Sequence, residues 1–493
     1  MDASLPNSAA WRDAATLCID DTIYAVAVDR PDVEEIRVLS RALPGAPLTA
    51  APAFLRGCVE DEIAFEWFAG EPEGVRKGRL LATGVTYTPQ SQEEGQSLTL
   101  LCSPPGGGVP ARASVGIIAG APAFDEITHA RQRASNFSGE TPPLHGAIRF
   151  LSYNLLSSAY VGEFSSLYPY ATQWALDTER RVQLAMDEVI RWRPSVACLQ
   201  EVDDELFANA WMPTMRANGF DGAFCPKGEG SIEGSAMFWD SQRFERVASR
   251  EVSLAEAARR AIAVAASQTG AVAPRGECGS AAAGDGIGEY LYRMQRECDS
   301  AVLSTLLRVA QTVQLCVLQE REMPERRILV LNTHLYYKKW ALRERTIQAG
   351  LMLGLGRDFR RELAELHDWN EEPPMVVCGD LNAEPQDLPL RYLLEGVEET
   401  DSEWRIDSSG DEAPAGQGAT LSAAPALECA TGVPSWTNRV DKFEGTLDWV
   451  LVERGRLVPM RHAPPVADSV GFLPSEEFPS DHIAVCCDVQ YTP

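Results

Sequence analysis

The sequence has few basic residues for its size. Its 493 residues include 44 lysines and arginines against 71 aspartates and glutamates, so the formal net charge at neutral pH is −27. A protein that grips duplex nucleic acid mainly through phosphate charge needs a basic surface, and this composition disfavours that class. A short strand, a free RNA end or a small nucleotide remains compatible with the charge.

Long apolar runs are also missing. No stretch approaches the length of a transmembrane helix, and residues 1–21 show neither a signal-peptide core nor the basic pattern of a mitochondrial transit peptide. The sequence therefore predicts no membrane contact and shows no targeting signal. With 45% apolar residues, it has the composition of a globular protein long enough for two or more domains.

The 12 cysteines contain no CxxC pair and are scattered along the chain. Cys198, Cys316, Cys378 and Cys486 lie in apolar runs that have the pattern of core strands. Free thiols in such places behave as small hydrophobic groups. The pattern predicts a reducing, intracellular compartment rather than a disulfide framework.

Two kinds of pattern divide the chain. Short β-rich runs such as "EIAFEWF" and "SLTLLC", separated by Pro and Gly turns, predict a small β-rich, sandwich-like domain over residues 1–132. The polar, Pro-rich stretch 133–146 fits a linker. Strands alternating with helices over 147–493 predict an α/β domain with mixed sheets. The Ala- and Gly-rich stretch 257–288 predicts the tip of a helix followed by a flexible surface insertion.

Polar residues of similar chemistry follow several strands predicted in the α/β domain. In "VVCGDLNAEP" (376–385), alternation along an extended chain would point Asp380 and Asn382 to one face, although these residues are also ordinary turn chemistry. Each of the other cases likewise has an ordinary structural explanation when taken alone. The other strand ends carry Asn154, Glu201, His334 and Asp448, and the last predicted strand begins with Asp481 and His482.

Together, these groups predict a site at one edge of a layered α/β fold. Carboxylate, amide and imidazole groups without a Cys/His cluster suit Mg²⁺ or Mn²⁺ rather than zinc. Phosphate ester cleavage uses such a set, with an ion neutralising the phosphoryl oxygens during attack by water. Because neighbours in a strand point to opposite faces, we expect Asp448 to orient His482 and Asp481 to face the ion.

Six motifs in order resemble the endonuclease/exonuclease/phosphatase superfamily of deoxyribonuclease-like, metal-dependent phosphodiesterases. They are "SYNLL", "CLQEVD", "NTHLYY", "CGDLNAEP", "TLDWVL" and "PSDHIAV". The resemblance implies a four-layered α/β sandwich. "EFSSLYPY" and "QEVDDELF" resemble the branch of poly(A) deadenylases and, more closely, the 2′-phosphodiesterases that degrade 2′,5′-oligoadenylate. The resemblance is strong after residue 147 and weak before it.

The resemblance also implies an activity and roles. The activity is a Mg²⁺-dependent 3′-to-5′ exoribonuclease acting on adenylate-rich RNA ends, including 2′,5′-oligoadenylate. Glu201 is implied as the main metal ligand, helped by Asn154. Asp380 is implied to align the attacking water and to contact a second ion. Asn382 is implied to contact that ion or the phosphate.

The remaining implied roles concern charge and substrate. His334 resembles the group that stabilises charge on a phosphoryl oxygen, and His482 with Asp448 forms a second polar arm. In "NRVDKFEG", Phe443 resembles the aromatic residue that stacks on adenine, and Asn438 is a second predicted substrate-binding residue. Phe443 packing on its own loop is the alternative. We expect four basic residues to lie near the site and offset the acidic charge: Lys338, Lys339, Arg439 and Lys442.

Two other functions are compatible with the motifs. One is a deadenylase strict for 3′,5′-linked poly(A). The other is a catalytically silent scaffold whose N-terminal domain recruits a protein partner that the sequence does not identify. We expect RNA ends or short oligoadenylates as partners, with no duplex DNA and no membrane. A cytoplasmic location is the prediction, whereas the family resemblance implies a mitochondrial one.

Overall fold

The computed structural model describes most of the chain, in which two compact units are separated at residue 126. The described residues are 16–19, 22–25, 31–38, 41–70, 78–119, 129–140, 146–163, 165–228, 230–268, 287–297, 300–395, 426–466 and 469–492. No helix among these residues is long and apolar enough to cross a membrane.

The N-terminal unit is β-rich, as predicted. Its strands are β1 Thr16–Ile19, β2 Thr22–Ala25, β3 Asp32–Arg37, β4 Leu48–Thr49, β5 Ala51–Arg56, β6 Ala64–Ala69, β7 Arg79–Thr83, β8 Thr86–Tyr87, β9 Ser97–Ser103 and β10 Ala111–Ile117. Within the described part of this unit, four of them form an antiparallel sheet in the order β10-β9-β6-β7. The other strands pair as β1–β2, β3–β5 and β4–β8. Trp67 is fully buried at the centre, and its indole N–H donates to the carbonyl of Gly84 at 2.9 Å.

The second unit contains two mixed sheets. Its strands are β11 Ile148–Asn154, β12 Val196–Asp203, β13 Phe220–Pro226, β14 Glu233–Asp240, β15 Phe244–Ser253, β16 Thr312–Glu320, β17 Arg327–His334, β18 Met375–Asp380, β19 Leu427–Cys429, β20 Asn438–Val440, β21 Phe443–Gly445, β22 Asp448–Glu453, β23 Leu457–His462 and β24 Val485–Tyr491. The first sheet has the order β13-β14-β12-β11-β24-β23 and the second β15-β16-β17-β18-β22-β19. Strands β20 and β21 form a separate hairpin.

Helices cover the outer face of each sheet. They are α1 His129–Glu140, α2 Ser158–Glu163, α3 Gln173–Leu176, α4 Thr178–Trp192, α5 Asp204–Leu206, α6 Met212–Ala217, α7 Leu254–Gln268, α8 Ile287–Glu297, α9 Ser300–Arg308, α10 Leu342–Leu366 and α11 Leu388–Glu395. Apolar side chains fill the space between the sheets, and two further clusters join each sheet to its helices. The order helix, sheet, sheet, helix confirms the predicted four-layered α/β sandwich. The four cysteines predicted to lie in core strands are free and buried: Cys198, Cys316, Cys378 and Cys486.

Helix α1 takes up residues 133–140 of the linker predicted over 133–146, and residues 141–145 lie outside the described residues. Ala130, Ala134 and Phe137 recur at helical spacing and are buried, and the ring centroid of Phe137 lies 5.5 Å from that of Trp192. This short apolar stripe orders a stretch whose overall composition is polar. The functional assignment of the two units stays a prediction.

The stretch 257–288, predicted as a helix tip and an insertion, begins in a helix. Residues 257–268 continue helix α7, whose Ala258, Ala261 and Ile262 are buried in the core of the second sheet. Alanine is the strongest helix former, and its small side chain allows close packing, so the Ala-rich composition here builds a packed helix. Residues 269–286 lie outside the described residues.

Candidate active site

The site lies where the parallel strands of both sheets end, and we call this the site edge. Strands β11 and β12 run parallel in the first sheet, and β17 and β18 run parallel in the second. Asn154 ends β11, while His334 and Asp380 end β17 and β18 and lie opposite each other in the register. The amide Nδ2 of Asn154 donates to Oε1 of Glu201 at 3.0 Å and to Oδ2 of Asp380 at 3.1 Å. One buried amide therefore connects the acids of the two sheets.

An irregularity in strand β12 sets the orientation of the Glu201 side chain. The pairing of β12 with β14 shifts register between Leu199 and Val202, and Glu201 has a φ of +55°, which is rare for a residue with a side chain. Its second carboxylate oxygen accepts from the backbone N–H of Ser157 at 3.1 Å. Such a backbone conformation costs free energy and persists only where surrounding contacts hold it, and residues of this kind cluster at functional sites.

His334 lies between the acids of the two sheets. Its Nδ1 is 3.8 Å from Oε1 of Glu201, and its Nε2 is 3.5 Å from Oδ2 of Asp380. Nδ1 is buried and has no hydrogen-bond partner among the described residues. Burial, with the positive charges of Lys227 and His482, holds the pKa of His334 well below its usual range. The imidazole is therefore neutral at neutral pH and has one N–H to donate.

Asp380 and Asn382 form a turn rather than two positions on one strand face. Strand β18 ends at Asp380, whose Oδ1 accepts from the backbone N–H of Asn382 at 2.9 Å. Asn382 has a φ of +48°, and its Nδ2 donates to the carbonyl of Leu335 at 3.0 Å. The expectation from alternation was wrong because the chain is no longer extended at Asn382. The turn still brings both residues to the site edge.

His482 pairs with Asp448, as predicted. Its Nδ1 lies 2.7 Å from Oδ2 of Asp448, and both side chains are buried. The hydroxyl of Ser480 accepts from the backbone N–H of His482 and donates to the carbonyl of Asn154, so the loop is anchored on strand β11. Burial alone lowers the pKa of His482, but the carboxylates around it, Asp448 first, raise it well above its usual range. Its Nε2 lies 3.8 Å from Oδ2 of Asp380.

Asp481 lies in a loop, not at the start of the last strand. Strand β24 begins at Val485, and His482 instead forms an isolated bridge with Asn438 of the hairpin. The Oδ2 of Asp481 accepts from the hydroxyl of Tyr168 at 3.1 Å and from Nδ2 of Asn438 at 3.3 Å. These contacts hold Asp481 close enough to Glu201 to raise the pKa of that acid. The proposed ion-facing role of Asp481 stays a prediction.

The acids at the site edge ionise less easily than isolated ones. Burial, followed by the negative charges of Glu233 and Asp481, raises the pKa of Glu201 to about 7. Burial and the neighbouring charge of Asp448 raise the pKa of Asp380 to about 6. Several carboxylates share a small, mostly buried volume, so each one disfavours the charge of the others.

The sequence reasoning missed Lys227 and the two residues that hold it. Lys227 follows strand β13, and its Nζ pairs with the carboxylate of Glu233 and lies 3.2 Å from the hydroxyl of Tyr160. Its positive charge lowers the pKa of Glu201 and of His334. "CPKGEG" carries a strand-end lysine, the signal that was available, but only the fold brings it to residues 160 and 201.

The hairpin of β20 and β21 stands beside His482 and carries the predicted substrate residues. Asn438 is buried and Phe443 is partly buried. A Cβ atom added to Gly445 would lie 2.7 Å from Cζ of Phe443 and 2.9 Å from Oε1 of Glu384, so the ring and this acid face the glycine. The placement agrees with either predicted role for Phe443.

The four basic residues expected near the site differ in their contacts. Arg439 lies on the hairpin, pairs with Glu444 at 2.9 Å and donates to the carbonyl of Val470 at 2.7 Å, which offsets its charge. Lys338 and Lys339 follow His334 closely in the chain, and Lys339 is exposed. Lys442 is exposed at the hairpin turn.

The donor set fits a divalent cation. Four carboxylates gather here against the positive charges of Lys227 and His482: Glu201, Asp380, Asp448 and Asp481. Asp448 also keeps a buried Oδ1 without a hydrogen-bond partner among the described residues. Ligand atoms of Asp380, Asp448 and His482 lie within 4.8 Å of one another, which makes this a candidate metal site.

Known proteins are similar to the chain in sequence and in fold. The 2′,5′-phosphodiesterase 12 of Bos taurus is 28% identical, over 98% of this chain and 77% of that protein, and the Homo sapiens protein of that name is 27% identical over the same shares. The solved structure of ANGEL2, described as a 2′,3′-cyclic phosphatase, aligns with this chain. The alignment covers 70% of this chain and 96% of the ANGEL2 chain. Its TM-score is 0.51 at 18% identity, which supports the fold.

The family model described as the Endonuclease/Exonuclease/phosphatase family matches residues 151–482, well over half of the chain. The matched range contains every site residue from Asn154 to His482. The match confirms the predicted resemblance and the prediction of a hydrolytic enzyme. The chain belongs to the Endonuclease/Exonuclease/phosphatase family.

Proposed function

We propose that the chain is a Mg²⁺-dependent phosphodiesterase that removes nucleotides from the 3′ ends of adenylate-rich RNA, including 2′,5′-linked oligoadenylate. One observation carries the proposal: the neutral imidazole of His334 stands between Glu201 of the first sheet and Asp380 of the second. Relatives named 2′,5′-phosphodiesterase 12 support cleavage of the 2′,5′ linkage, since their similarity extends over 98% of the chain.

Glu201 and Asp380 are the residues that would hold the ion, and Asn154 would position them, because its Nδ2 donates to both acids while its Oδ1 accepts from the backbone N–H of Leu156 at 3.0 Å. Carboxylate and amide oxygens are preferred by Mg²⁺, which uses one or two carboxylates in such sites. His482 is the poorer ligand, because its Nδ1 is occupied by Asp448 and its raised pKa keeps the ring protonated. When bound, the ion neutralises charge on the phosphoryl oxygens.

Asp380 is the residue we assign to the proton of the attacking water. A water oxygen forms a bond to phosphorus, its proton passes to the Asp380 carboxylate, and the phosphorus bond to the departing ribose oxygen breaks. That oxygen takes up a proton and leaves as a hydroxyl. A pKa of about 6 suits the task, because the carboxylate is mostly ionised at neutral pH yet basic enough to accept a proton.

Two histidines act on the phosphate in different charge states. The neutral ring of His334 donates one hydrogen bond to a phosphoryl oxygen, whereas the cationic ring of His482, oriented by Asp448, supplies positive charge. Asn382 stands beside Asp380 and offers its side-chain oxygen, since its Nδ2 is bound to Leu335. Lys227 adds a second positive charge on the Glu201 side.

The hairpin is the surface we assign to the terminal adenylate. Phe443 offers a partly exposed ring for stacking, and Asn438 is fixed against Asp481. Stacking of one base on an aromatic side chain contributes about 1–3 kcal/mol. The adenine preference would come from hydrogen bonds that the hairpin makes in addition to stacking.

Cleavage of tetra-adenylates of both linkages with Mg²⁺ tests the proposal. We expect the purified protein to shorten 2′,5′-linked and 3′,5′-linked tetramers, with products separated by chromatography. Cleavage of the 3′,5′ tetramer alone would favour the strict deadenylase. Binding without cleavage of either tetramer would favour the silent scaffold.

A further inference from the structure

The loop after His334 carries two exposed aromatic rings. This loop, residues 335–341, leaves Tyr337 60% exposed and Trp340 48% exposed. The Nζ of Lys338 lies 4.5 Å from the centroid of the Tyr337 ring, and Lys339 is exposed beside it. Large apolar rings grouped at the surface of a protein often mark a binding site.

The backbone of the loop is held in one conformation by a buried arginine. Arg345 is 1% exposed, and its Nη1 donates to the carbonyls of Tyr336, at 3.0 Å, and of Lys338. Its Nη2 donates to the carbonyl of Lys339 at 3.3 Å. Surface aromatic rings on a fixed backbone lose little conformational entropy when a ligand binds.

Tyr336 supports both exposed rings from below. It is 8% exposed, its centroid lies 5.5 Å from that of Tyr337 at an interplanar angle of 74°, and 6.1 Å from that of Trp340 at 79°. Edge-to-face packing of this kind is favourable and directional. The three rings therefore form one aromatic cluster, of which two members face solvent.

The loop is joined directly to the catalytic turn. The backbone N–H of Leu335 donates to the carbonyl of Asp380 at 3.0 Å, and the carbonyl of Leu335 accepts from Nδ2 of Asn382 at 3.0 Å. The loop also begins at the residue after His334. The loop therefore borders the turn that would hold the scissile phosphate.

We propose that Tyr337 and Trp340 stack on bases of the substrate strand beyond the nucleotide at the scissile phosphate, with Lys338 and Lys339 facing its phosphates. The proposal rests on the proposed function, and it names the ligand as single-stranded oligonucleotide longer than a dinucleotide. Two adjacent lysines are complementary to phosphate in a chain of net charge −27. Since every base has an aromatic face, this subsite tolerates any base, unlike the hairpin.

Chain-length dependence of cleavage tests the proposal. In the wild type, we expect kcat/KM for tetra-adenylate to exceed that for the dinucleotide, and Trp340→Leu to reduce this ratio at least about fivefold, the loss of one stacked base. Trp340→Phe keeps an aromatic face and should retain most of the ratio. Trp369→Leu, at the far end of the sheet where Trp369 stacks on His367, is the matched control and should leave the ratio unchanged. An unchanged ratio in Trp340→Leu would overturn the proposal.

Salt dependence gives a second readout. If Lys339 contacts a phosphate, Lys339→Gln should flatten the slope of log binding constant against log salt concentration by about 0.7 for a single strand. Binding of fluorescent oligoadenylate in EDTA separates this proposal from the proposed function. If the wild type binds but does not cleave, and Trp340→Leu binds more weakly, the stacking role of the loop is supported and the proposed activity is rejected. Equal binding by wild type and Trp340→Leu would reject the loop.

Discussion

The Nδ1 atom of His482 lies 2.7 Å from Oδ2 of Asp448, and the two side chains are 5% and 0% exposed. The acid comes from the second sheet, whereas the loop of the histidine leads into strand β24 of the first. A buried acid that orients a histidine keeps the ring in one tautomer and stabilises its cationic form. The pair therefore gives the site a fixed positive charge.

Asp448→Asn should weaken that charge. Burial still lowers the pKa of His482 in this variant, and the largest cause that raises it is lost, so the pKa should fall although Asp481 and Asp380 remain. We expect kcat to fall by roughly 10²–10³, the usual cost of losing one group that stabilises charge in the transition state. NMR titration of the His482 ring should show the lower pKa. Asp368→Asn, at an exposed position with a φ of +52° that asparagine tolerates, is the control and should keep the wild-type kcat.

The Mg²⁺ requirement should depend on pH through Glu201. Below its pKa of about 7 the carboxyl group is protonated and cannot bind the ion, and above it the group is ionised. Between pH 6 and pH 8, the Mg²⁺ concentration for half-maximal activity should therefore fall about tenfold, in proportion to the ionised fraction. In Glu201→Gln this dependence should disappear together with tight binding, whereas exposed Glu365→Gln should titrate like the wild type. A Mg²⁺ requirement independent of pH would argue against Glu201 as a ligand.

Gly379 should not tolerate a side chain. Its Cβ would lie 2.0 Å from the carbonyl oxygen of Thr333 in the neighbouring strand β17. The backbone would have to shift where His334 and Asp380 face each other. We expect Gly379→Ala to lower the free energy of unfolding by about 3 kcal/mol, the upper range for overpacking, and to reduce activity. Gly471→Ala, with no atom within 4 Å of the new Cβ, should unfold like the wild type in a denaturant titration.

Asn332 should hold the two sheets at the spacing the site needs. Its Nδ2 donates to the carbonyls of Leu199 at 3.1 Å and Ala236 at 3.0 Å, both in the first sheet, and its Oδ1 accepts from Gln200 at 2.8 Å. Asn332→Leu leaves buried polar groups without partners, each costing about 1–3 kcal/mol. Chemical denaturation should show this loss, together with a weaker apparent Mg²⁺ affinity. Exposed Asn370→Leu should change neither, and a stable variant with normal affinity would show that the spacing is set elsewhere.

Much of the site was predictable because its residues end strands. Apolar runs that stop at Asn154, His334 and Asp380 mark the edge where parallel strands end, and residue chemistry then indicated a metal-dependent hydrolase. The pairing of His482 with Asp448 followed from the alternation of side chains, although the assumed start of the strand was wrong. The polar loop at Ser480 delays strand β24 to residue 485.

The rest depended on contacts between distant segments. Lys227 reaches the site because Glu233 and Tyr160, from two other elements, hold it there, and no local pattern predicts that meeting. The positive φ values of Glu201 and Asn382 arise from a bulge and a turn that propensities do not show. Helix α1 was hidden in polar sequence because its few apolar residues gain their stability from tertiary burial.

Hydrolysis in H₂¹⁸O tests whether Asp380 directs water onto a phosphodiester at this edge of the sandwich. With 3′,5′-linked tetra-adenylate and Mg²⁺, we predict one ¹⁸O atom in the phosphate of each released nucleotide, measured by mass spectrometry. Asp380→Asn should slow its incorporation by at least about 10²-fold, while Asp368→Asn should match the wild type. Release of labelled nucleotide by Asp380→Asn at the wild-type rate would contradict the account.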